Sequence, residues 1–331
     1  MDWRQIEIFR EENFEEKMEG IRPWLESTVR EGYFYTTDAL RLHYHYCIPT
    51  DSDDIKGTIV MVHGFCEFFG KYHEMAYYFY QAGYAFFFLE QRGHGFSDRL
   101  TENLSKVVVN SYEEYVQDFR EFMHFVVRSK KPDGPMYLYS HSMGGMVSML
   151  YLEKNPNIFD GAVLSSPMLA VNTGKIPDWI VPACSGVARL LRWEERYCPR
   201  QHDFDGVARP EISSASSIPR YMYQFKQRVE HVEYQTSGAT YSWIMAGLKA
   251  QKILQDRAKL LETPVLMCRA GADTMVDMRG QEEFLRRRPD IRVVEFPDAR
   301  HEIYNSTPEN IQRYYKEIFT FFEELSEKNR K

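Results

Sequence analysis

The sequence has no excess of positive charge and no long apolar run. Its 331 residues carry 41 Lys and Arg against 48 Asp and Glu, which gives a formal net charge of −7. Proteins that bind nucleic acids need a basic surface for the phosphates, so this charge balance argues against a nucleic-acid partner. It also argues against a polybasic membrane anchor. No stretch reaches the roughly 20 apolar residues of a membrane-spanning helix. Any contact with lipid surfaces is therefore expected to be transient.

Cysteine is also scarce, and nothing in the sequence indicates a metal ion or a cofactor. The five cysteines are scattered and include no C-x-x-C pair, the spacing typical of zinc sites. An odd number fits a reducing compartment, and pairing of Cys184 with Cys198 is disfavoured. The segment from Asp2 to Gly20 is charged and lacks the apolar core of a signal peptide. We therefore expect a cytoplasmic protein without metal or cofactor, and its oligomeric state stays open.

The apolar residues that are present, 44% of the chain, suffice for one large core. Alternating residues predict a hairpin of two strands, Tyr33–Thr37 and Leu40–Ile48, with His43 and His45 on the polar face of the second. Further strands, alternating with amphipathic helices, are predicted at Thr58–His63, Tyr84–Glu90, Met136–Ser140, Ala162–Ser165, Val265–Ala270 and Ile291–Phe296. This rhythm predicts an α/β fold with a mostly parallel eight-stranded sheet flanked by helices.

One stretch, residues 168–238, breaks this rhythm. It contains prolines at 177, 182, 199, 210 and 219 and two helical patches, but no strand–helix alternation. An insertion after the sixth strand lies above the carboxyl ends of the strands, where open α/β sheets bind ligands. We therefore predict a charged extension at 1–29, a core at 30–167 and 239–331, and a mainly helical cap at 168–238. An ordinary packed subdomain would give the same pattern.

Ser142 is the first candidate for chemistry. It follows the apolar run at 136–139 and precedes the helix-forming residues 146–152, so a sharp turn joins a strand to a helix. This is the context of a nucleophile elbow, in which close packing of strand and helix requires small neighbours. Ser140 stands where the G-x-S-x-G pattern usually has its first glycine. A chance Ser-x-Gly in a loop is the alternative interpretation.

An acid and a histidine follow in the order that an α/β hydrolase requires. Asp273 comes directly after the strand at 265–270, and His301 lies in the loop after the last strand. An imidazole titrates near pH 6.5, so it can take and return the serine proton, while a carboxylate fixes its tautomer. Asp277 competes for the role of the acid, but it precedes a helix and fits an N-cap better. Glu302 neighbours the histidine too closely to orient it.

An oxyanion needs two backbone N–H donors. One is expected from Met143, the residue after the serine. The other is expected from Phe65, in the loop that follows the strand ending at His63, where Gly64 lets the backbone turn closely.

Several motifs together resemble the lysophospholipase and monoacylglycerol lipase group of α/β hydrolases, and its bacterial lysophospholipases in particular. The resemblance spans about residues 31–325 and includes His63-Gly64-Phe65-Cys66-Glu67, Lys71-Tyr72, Gln91-Arg92-Gly93-His94-Gly95, Met143-Gly144-Gly145, Gly271-Ala272-Asp273 and Arg300-His301-Glu302. It implies a serine hydrolase that cleaves the ester of a single-chain lipid, a lysophospholipid or a monoacylglycerol, through an acyl-enzyme on Ser142. Substrate contacts are expected from Glu67, Trp179 and Trp193.

Three other readings stay open. A general carboxylesterase and an iminopeptidase-like peptidase would use the same three side chains. The peptidase needs an acidic anchor for a substrate amino group, for which Asp203, Asp205 and Glu211 are available. A non-catalytic relative acting as a binding protein is disfavoured, because such chains usually lack part of the triad.

Overall fold

A single eight-stranded sheet organises the protein, whose computed structural model describes residues 2–50, 55–174 and 193–329. The strands lie in the order β1-β2-β4-β3-β5-β6-β7-β8. Their bounds are β1 Arg30–Tyr35, β2 Arg41–Cys47, β3 Gly57–Val62, β4 Tyr84–Leu89, β5 Met136–His141, β6 Gly161–Ser165, β7 Val265–Ala270 and β8 Arg292–Phe296. Only β2 runs antiparallel to its neighbours β1 and β4, so the sheet is mostly parallel as predicted.

Helices connect the strands and cover both faces of the sheet. Their bounds are α1 Phe14–Gly20, α2 Arg22–Thr28, α3 His73–Gln81, α4 Tyr112–Phe122, α5 Met143–Leu152, α6 Ile218–Glu230, α7 Tyr241–Arg257, α8 Met278–Arg287 and α9 Pro308–Asn329. Helix α4 continues through the π-turn Met123–Val127 to Lys130. Among the described residues, no helix combines the length and apolar character needed to cross a membrane.

Successive residues of the central strands point into two separate apolar cores. In β3, Val60 and Val62 join the core under α4, α5 and α7, whereas Ile59 and Met61 join the core under α3 and α9. This follows from the two-residue repeat of a strand. Burial on both faces explains why these strands are continuous apolar runs in the sequence.

Seven of the eight predicted strands are confirmed to within one residue at each end. The first was placed too late, at Tyr33–Thr37 instead of Arg30–Tyr35. Its pairing with β2 runs from Arg30 opposite Tyr46 to Tyr35 opposite Arg41, and the Thr36 N–H then donates to Leu40 O to close the turn. The hairpin register, which the alternation alone does not fix, sets these bounds.

The N-terminal segment packs against the core. Phe9 and Phe14 are buried beside α3 and α9. The buried Arg220 guanidinium of α6 donates to both oxygens of Glu74 and to Phe9 O, and it lies 4.7 Å from the centre of the Phe14 ring. A side chain from the predicted cap segment thus ties α3 to the N-terminal segment.

The described part of the predicted cap segment, residues 168–174 and 193–238, contributes no strand to the main sheet. It contains α6, and its end, Gly238–Ala239, pairs with Lys106–Val107 in a separate two-stranded sheet. The chain then returns through α7 to β7, directly beside β6. The boundaries of the extension, core and cap stay a prediction.

Candidate active site

Ser142 occupies a strained turn between β5 and α5. Its backbone has φ 51° and ψ −121°, outside the regions that non-glycine residues favour. The Ser142 N–H donates to Ser165 O on β6, and its carbonyl accepts from Gly145 and Met168. These hydrogen bonds hold the serine in the conformation that a nucleophile elbow requires.

The small residues around Ser142 are required by close packing. A side chain at Gly144 would place its Cβ 2.1 Å from Val62 O, and one at Gly145 would lie 2.6 Å from Pro167 Cβ. Ser140, which departs from the usual glycine, is completely buried, and its hydroxyl donates to Val163 O over 3.4 Å. The extra hydroxyl therefore has a partner, and the turn still forms.

His301 and Asp273 meet as the sequence predicted. His301 Nδ1 lies 2.7 Å from Asp273 Oδ2, and the two side chains are 7% and 1% exposed. Burial alone would raise the pKa of Asp273. The hydrogen bond with His301 and those from the N–H groups of Met275 and Val276 instead keep it below its ordinary value. An ionised Asp273 fixes the proton on His301 Nδ1, which leaves Nε2 able to act as a base.

Backbone contacts bind the acid turn to the histidine loop. The Gly271 N–H donates to Phe296 O and the Ala272 N–H to Ala299 O. A Cβ at Gly271 would lie 2.4 Å from Pro297 O, so only glycine permits this approach. Asp277, in contrast, caps α8 by accepting from the Arg279 N–H and pairs with the Arg279 guanidinium. The structure therefore brings Asp273, not Asp277, to the histidine.

The loop after β3 passes beside the serine. A Cβ at Gly64 would lie 2.9 Å from Ser142 Cβ, so glycine allows the loop to touch the elbow. The Phe65 ring packs 4.3 Å from the Trp243 ring. Neither the Phe65 nor the Met143 N–H donates a backbone hydrogen bond within the described part of the chain. Both donors expected for the oxyanion thus remain available next to Ser142.

A buried polar network supports this loop, and no local sequence pattern predicts its contacts. Glu67 accepts from the Gly64 N–H and from Tyr72, Lys71 and Tyr304. Burial alone would raise the pKa of Glu67, but the Lys71 ammonium and His141 hold it well below its usual value. Because protein donors occupy its oxygens, this geometry gives no support to the expected contact of Glu67 with substrate. Glu67 instead fixes the position of Gly64.

The network reaches the histidine loop through Glu302. Lys71 Nζ lies 3.0 Å from Glu67 and 2.8 Å from Glu302, and Glu302 also accepts from Ser214, Gln224 and Asn305. Burial would raise the pKa of Glu302, but the Lys71 ammonium lowers it to about 2. The same pair of carboxylates raises the pKa of Lys71. One buried ammonium thus joins the oxyanion loop to the residue after His301.

We expect Glu302→Gln to destabilise the protein in a pH-dependent way. The pKa of folded Glu302 lies below its unfolded value, so its charge contributes stability above about pH 4.5 that is lost as the pH falls toward 2. The variant should unfold about 1–3 kcal/mol more easily at pH 7, and this difference should shrink below pH 4.5. Urea unfolding across this pH range measures it, with the exposed Glu327→Gln as control. A difference that stays constant with pH would contradict the charge-based account.

Three further residues, Trp193, Trp179 and His141, complete the description. Trp193 is half-buried, and its ring lies 4.9 Å from the Arg196 guanidinium, while no contact within the described residues joins it to Ser142. Trp179 lies outside the described residues. His141, which the sequence predicts to point away from the serine, has its ring centre 4.7 Å from that of His301, and its Nε2 lies 3.4 Å from His301 O. The residue next to the serine therefore supports the histidine from below.

The strand order is that of an α/β hydrolase. Residues 53–308 match the model of the family described as "Serine aminopeptidase, S33", and the chain belongs to this family. It is 28% identical to a monoacylglycerol lipase of Mycolicibacterium smegmatis, over 86% of this chain and 94% of that protein. It is 27% identical to lysophospholipase L2 of Escherichia coli, over 78% of this chain and 74% of that protein.

Solved structures share the fold. The crystal structure of Paleococcus ferrophilus monoacylglycerol lipase superimposes with a TM-score of 0.62 at 22% identity, covering 90% of this chain and 99% of that one. A monoglyceride lipase of Saccharomyces cerevisiae in complex with a substrate analogue gives a TM-score of 0.68 at 19% identity, covering 91% and 96%. At these identities the likeness concerns the fold.

Proposed function

We propose that this protein is a serine hydrolase that cleaves the carboxylic ester of a lipid with one acyl chain, a monoacylglycerol or a lysophospholipid. The observation that carries the proposal is the 2.7 Å contact between His301 Nδ1 and Asp273 Oδ2, in a loop that packs on the neighbour of Ser142. The names of the two curated relatives support the substrate class, since both denote enzymes of single-chain lipids.

The residues supply each step of acyl transfer. Ser142 Oγ bonds to the ester carbonyl carbon while its proton passes to His301 Nε2, and the Phe65 and Met143 N–H groups stabilise the oxyanion. The carbon–oxygen bond then breaks, and the leaving alcohol takes the proton from His301. A water molecule repeats the sequence on the acyl-enzyme, releasing the fatty acid and restoring Ser142. Asp273 remains ionised and stabilises the imidazolium that forms in each half-reaction.

An aminopeptidase is the second candidate, because the family is described by that activity. It needs a free carboxylate to bind the substrate amino group. Of the three acidic residues expected for this purpose, Asp203 accepts from Tyr197 and Asn103, and Asp205 pairs with Arg209. Glu211 is exposed. Because both aspartates already have protein partners, the ester is favoured over the peptide substrate.

We expect the purified protein to hydrolyse monoacylglycerols or lysophosphatidylcholine with a kcat/KM on the order of 100-fold or more above that for aminoacyl amides. A panel with matched acyl chains of increasing length, assayed by fatty-acid release, measures this preference. Ser142→Ala serves as the blank for contaminating esterases. Preference for the aminoacyl amides would assign the peptidase activity instead. Efficient cleavage of short-chain esters alone would indicate a general carboxylesterase.

We also propose a reducing compartment, the cytoplasm. Cys47, Cys66, Cys198 and Cys268 are free thiols, with no disulfide among the described residues. Cys47 and Cys268 are buried in the core. Fractionation of cells that express the tagged protein tests the compartment.

A further inference from the structure

A second cluster of chemically capable side chains lies on the edge hairpin, on strands β1 and β2. His43 and His45 are two residues apart on β2, so both side chains leave the same face of the sheet. Glu31 on β1 stands directly opposite His45 in the antiparallel register. The sequence analysis placed both histidines on a polar, solvent-facing side. That expectation was wrong, because they are only 2% and 5% exposed.

Three potential ligand atoms converge on one point. His43 Nε2 lies 3.6 Å and His45 Nδ1 lies 3.7 Å from Glu31 Oε2, and all three atoms fall within 4.8 Å of one another. Two ligands of a tetrahedral zinc ion, each about 2.0–2.2 Å from the metal, are separated by about 3.4 Å. The Glu31 side chain is 68% exposed, so it is free to move toward the two histidines.

The hydrogen bonds around His43 leave a lone pair facing Glu31. His43 Nδ1 lies 3.0 Å from Oε2 of the fully buried Glu90, a carboxylate that also accepts from the N–H groups of Phe69 and Phe96. An ionised carboxylate has no hydrogen to donate, so Glu90 accepts from His43 Nδ1. It therefore holds the proton on His43 Nδ1. In the neutral imidazole, Nε2 then presents a lone pair to the Glu31 carboxylate, which is also an acceptor.

His45 is the second buried imidazole of the cluster. Its ring stacks on Phe69 at a centroid distance of 4.0 Å, and its Nε2 has no hydrogen-bond partner. Two buried imidazole nitrogens and a carboxylate oxygen thus face one another, as the ligands of a bound cation do.

We propose that Glu31, His43 and His45 form a binding site for a transition-metal dication of the Zn²⁺ type, with Glu90 as the residue that orients His43. Two imidazole nitrogens and one carboxylate oxygen suit zinc, and a carboxylate behind a ligating histidine is a common support for such sites. The exposed side of Glu31 leaves room for water as a fourth ligand. Because β1 is the edge of the sheet, the ion would fasten this edge strand to β2. The site is independent of the proposed hydrolase activity.

Chelator-treated protein, tested with Co²⁺ and Zn²⁺ alone, decides the proposal. We expect one equivalent of Co²⁺ to give the visible absorption of a four- or five-coordinate site, and Zn²⁺ to displace it. Zn²⁺ should also raise the melting temperature, increasingly with its concentration. Glu31→Gln alters only an exposed ligand and should weaken binding at least about 10-fold. The exposed Glu12→Gln, of the same charge change, should bind as the wild type does.

A second variant controls for effects on folding. His45→Phe preserves the stacking on Phe69 and removes one ligand, so it should lose the Co²⁺ spectrum while keeping the circular dichroism of the wild type. The proposal is overturned if the wild type takes up no Co²⁺ after chelation. That result would mean that a protonated His43 donates hydrogen bonds to Glu31 and Glu90 instead. Unchanged affinity in both ligand variants, with the metal held elsewhere, overturns it as well.

Discussion

Ser142→Ala should lower kcat by about 10⁴–10⁶-fold and abolish labelling by a fluorophosphonate probe. The substitution removes the only atom that bonds to the acyl group and keeps the backbone strain that alanine and serine share. Its melting temperature should therefore stay close to that of the wild type. The loss is expected even though His301, Asp273 and the oxyanion loop remain, because these groups act on a nucleophile that is no longer present. Ester hydrolysis and probe labelling in parallel measure the two effects.

Ser140→Ala is the matched control for this experiment. It removes another buried hydroxyl, two residues earlier, whose contact is the 3.4 Å hydrogen bond to Val163 O. We expect it to label and turn over close to the wild-type rate. Labelling that persists in Ser142→Ala, or disappears in Ser140→Ala, would remove Ser142 from the role of nucleophile.

The second large effect is expected at Asp273. Asp273→Asn should lower kcat by about 10³–10⁴-fold, because an amide in place of the carboxylate disturbs the tautomer of His301 and does not stabilise the imidazolium. Asp277→Asn should change kcat less than about threefold, since asparagine caps a helix as well as aspartate does. Steady-state ester hydrolysis by both variants compares two carboxylates four residues apart.

These two variants also discriminate between the two possible acids. A severe loss in Asp277→Asn with near-normal activity in Asp273→Asn would reverse the assignment. Far-UV circular dichroism of both proteins shows whether α8, which Asp277 caps, is still formed.

The sequence predicts the structure best where neighbouring residues determine it. The strands of the sheet interior are continuous apolar runs, so their bounds emerged within a residue. The serine, the acid and the histidine each follow such a run, and a parallel sheet brings the carboxyl ends of its strands to one edge. The contact between Asp273 and His301 was therefore predictable from their positions after neighbouring strands β7 and β8.

The contacts that the sequence did not reveal join residues far apart in the chain. Lys71 and Glu302 are 231 positions apart, and no periodicity links them. His43 and His45 alternate with Tyr44 and Tyr46, a pattern typical of a strand with one solvent-exposed face. The loop carrying Phe96 and the ring of Phe69 cover that face, and only the folded chain brings them there.

The chain leaves the sheet at Ser165 and rejoins it at Val265, yet β6 and β7 are direct neighbours. Their register depends on hydrogen bonds between the two strands and not on the hundred residues between them. Those intervening residues that contact neither the apolar core nor Glu302 are free to change in number or kind without shifting this register. Descendants of one ancestral fold can therefore diverge in the molecules they accept while their reaction stays the same.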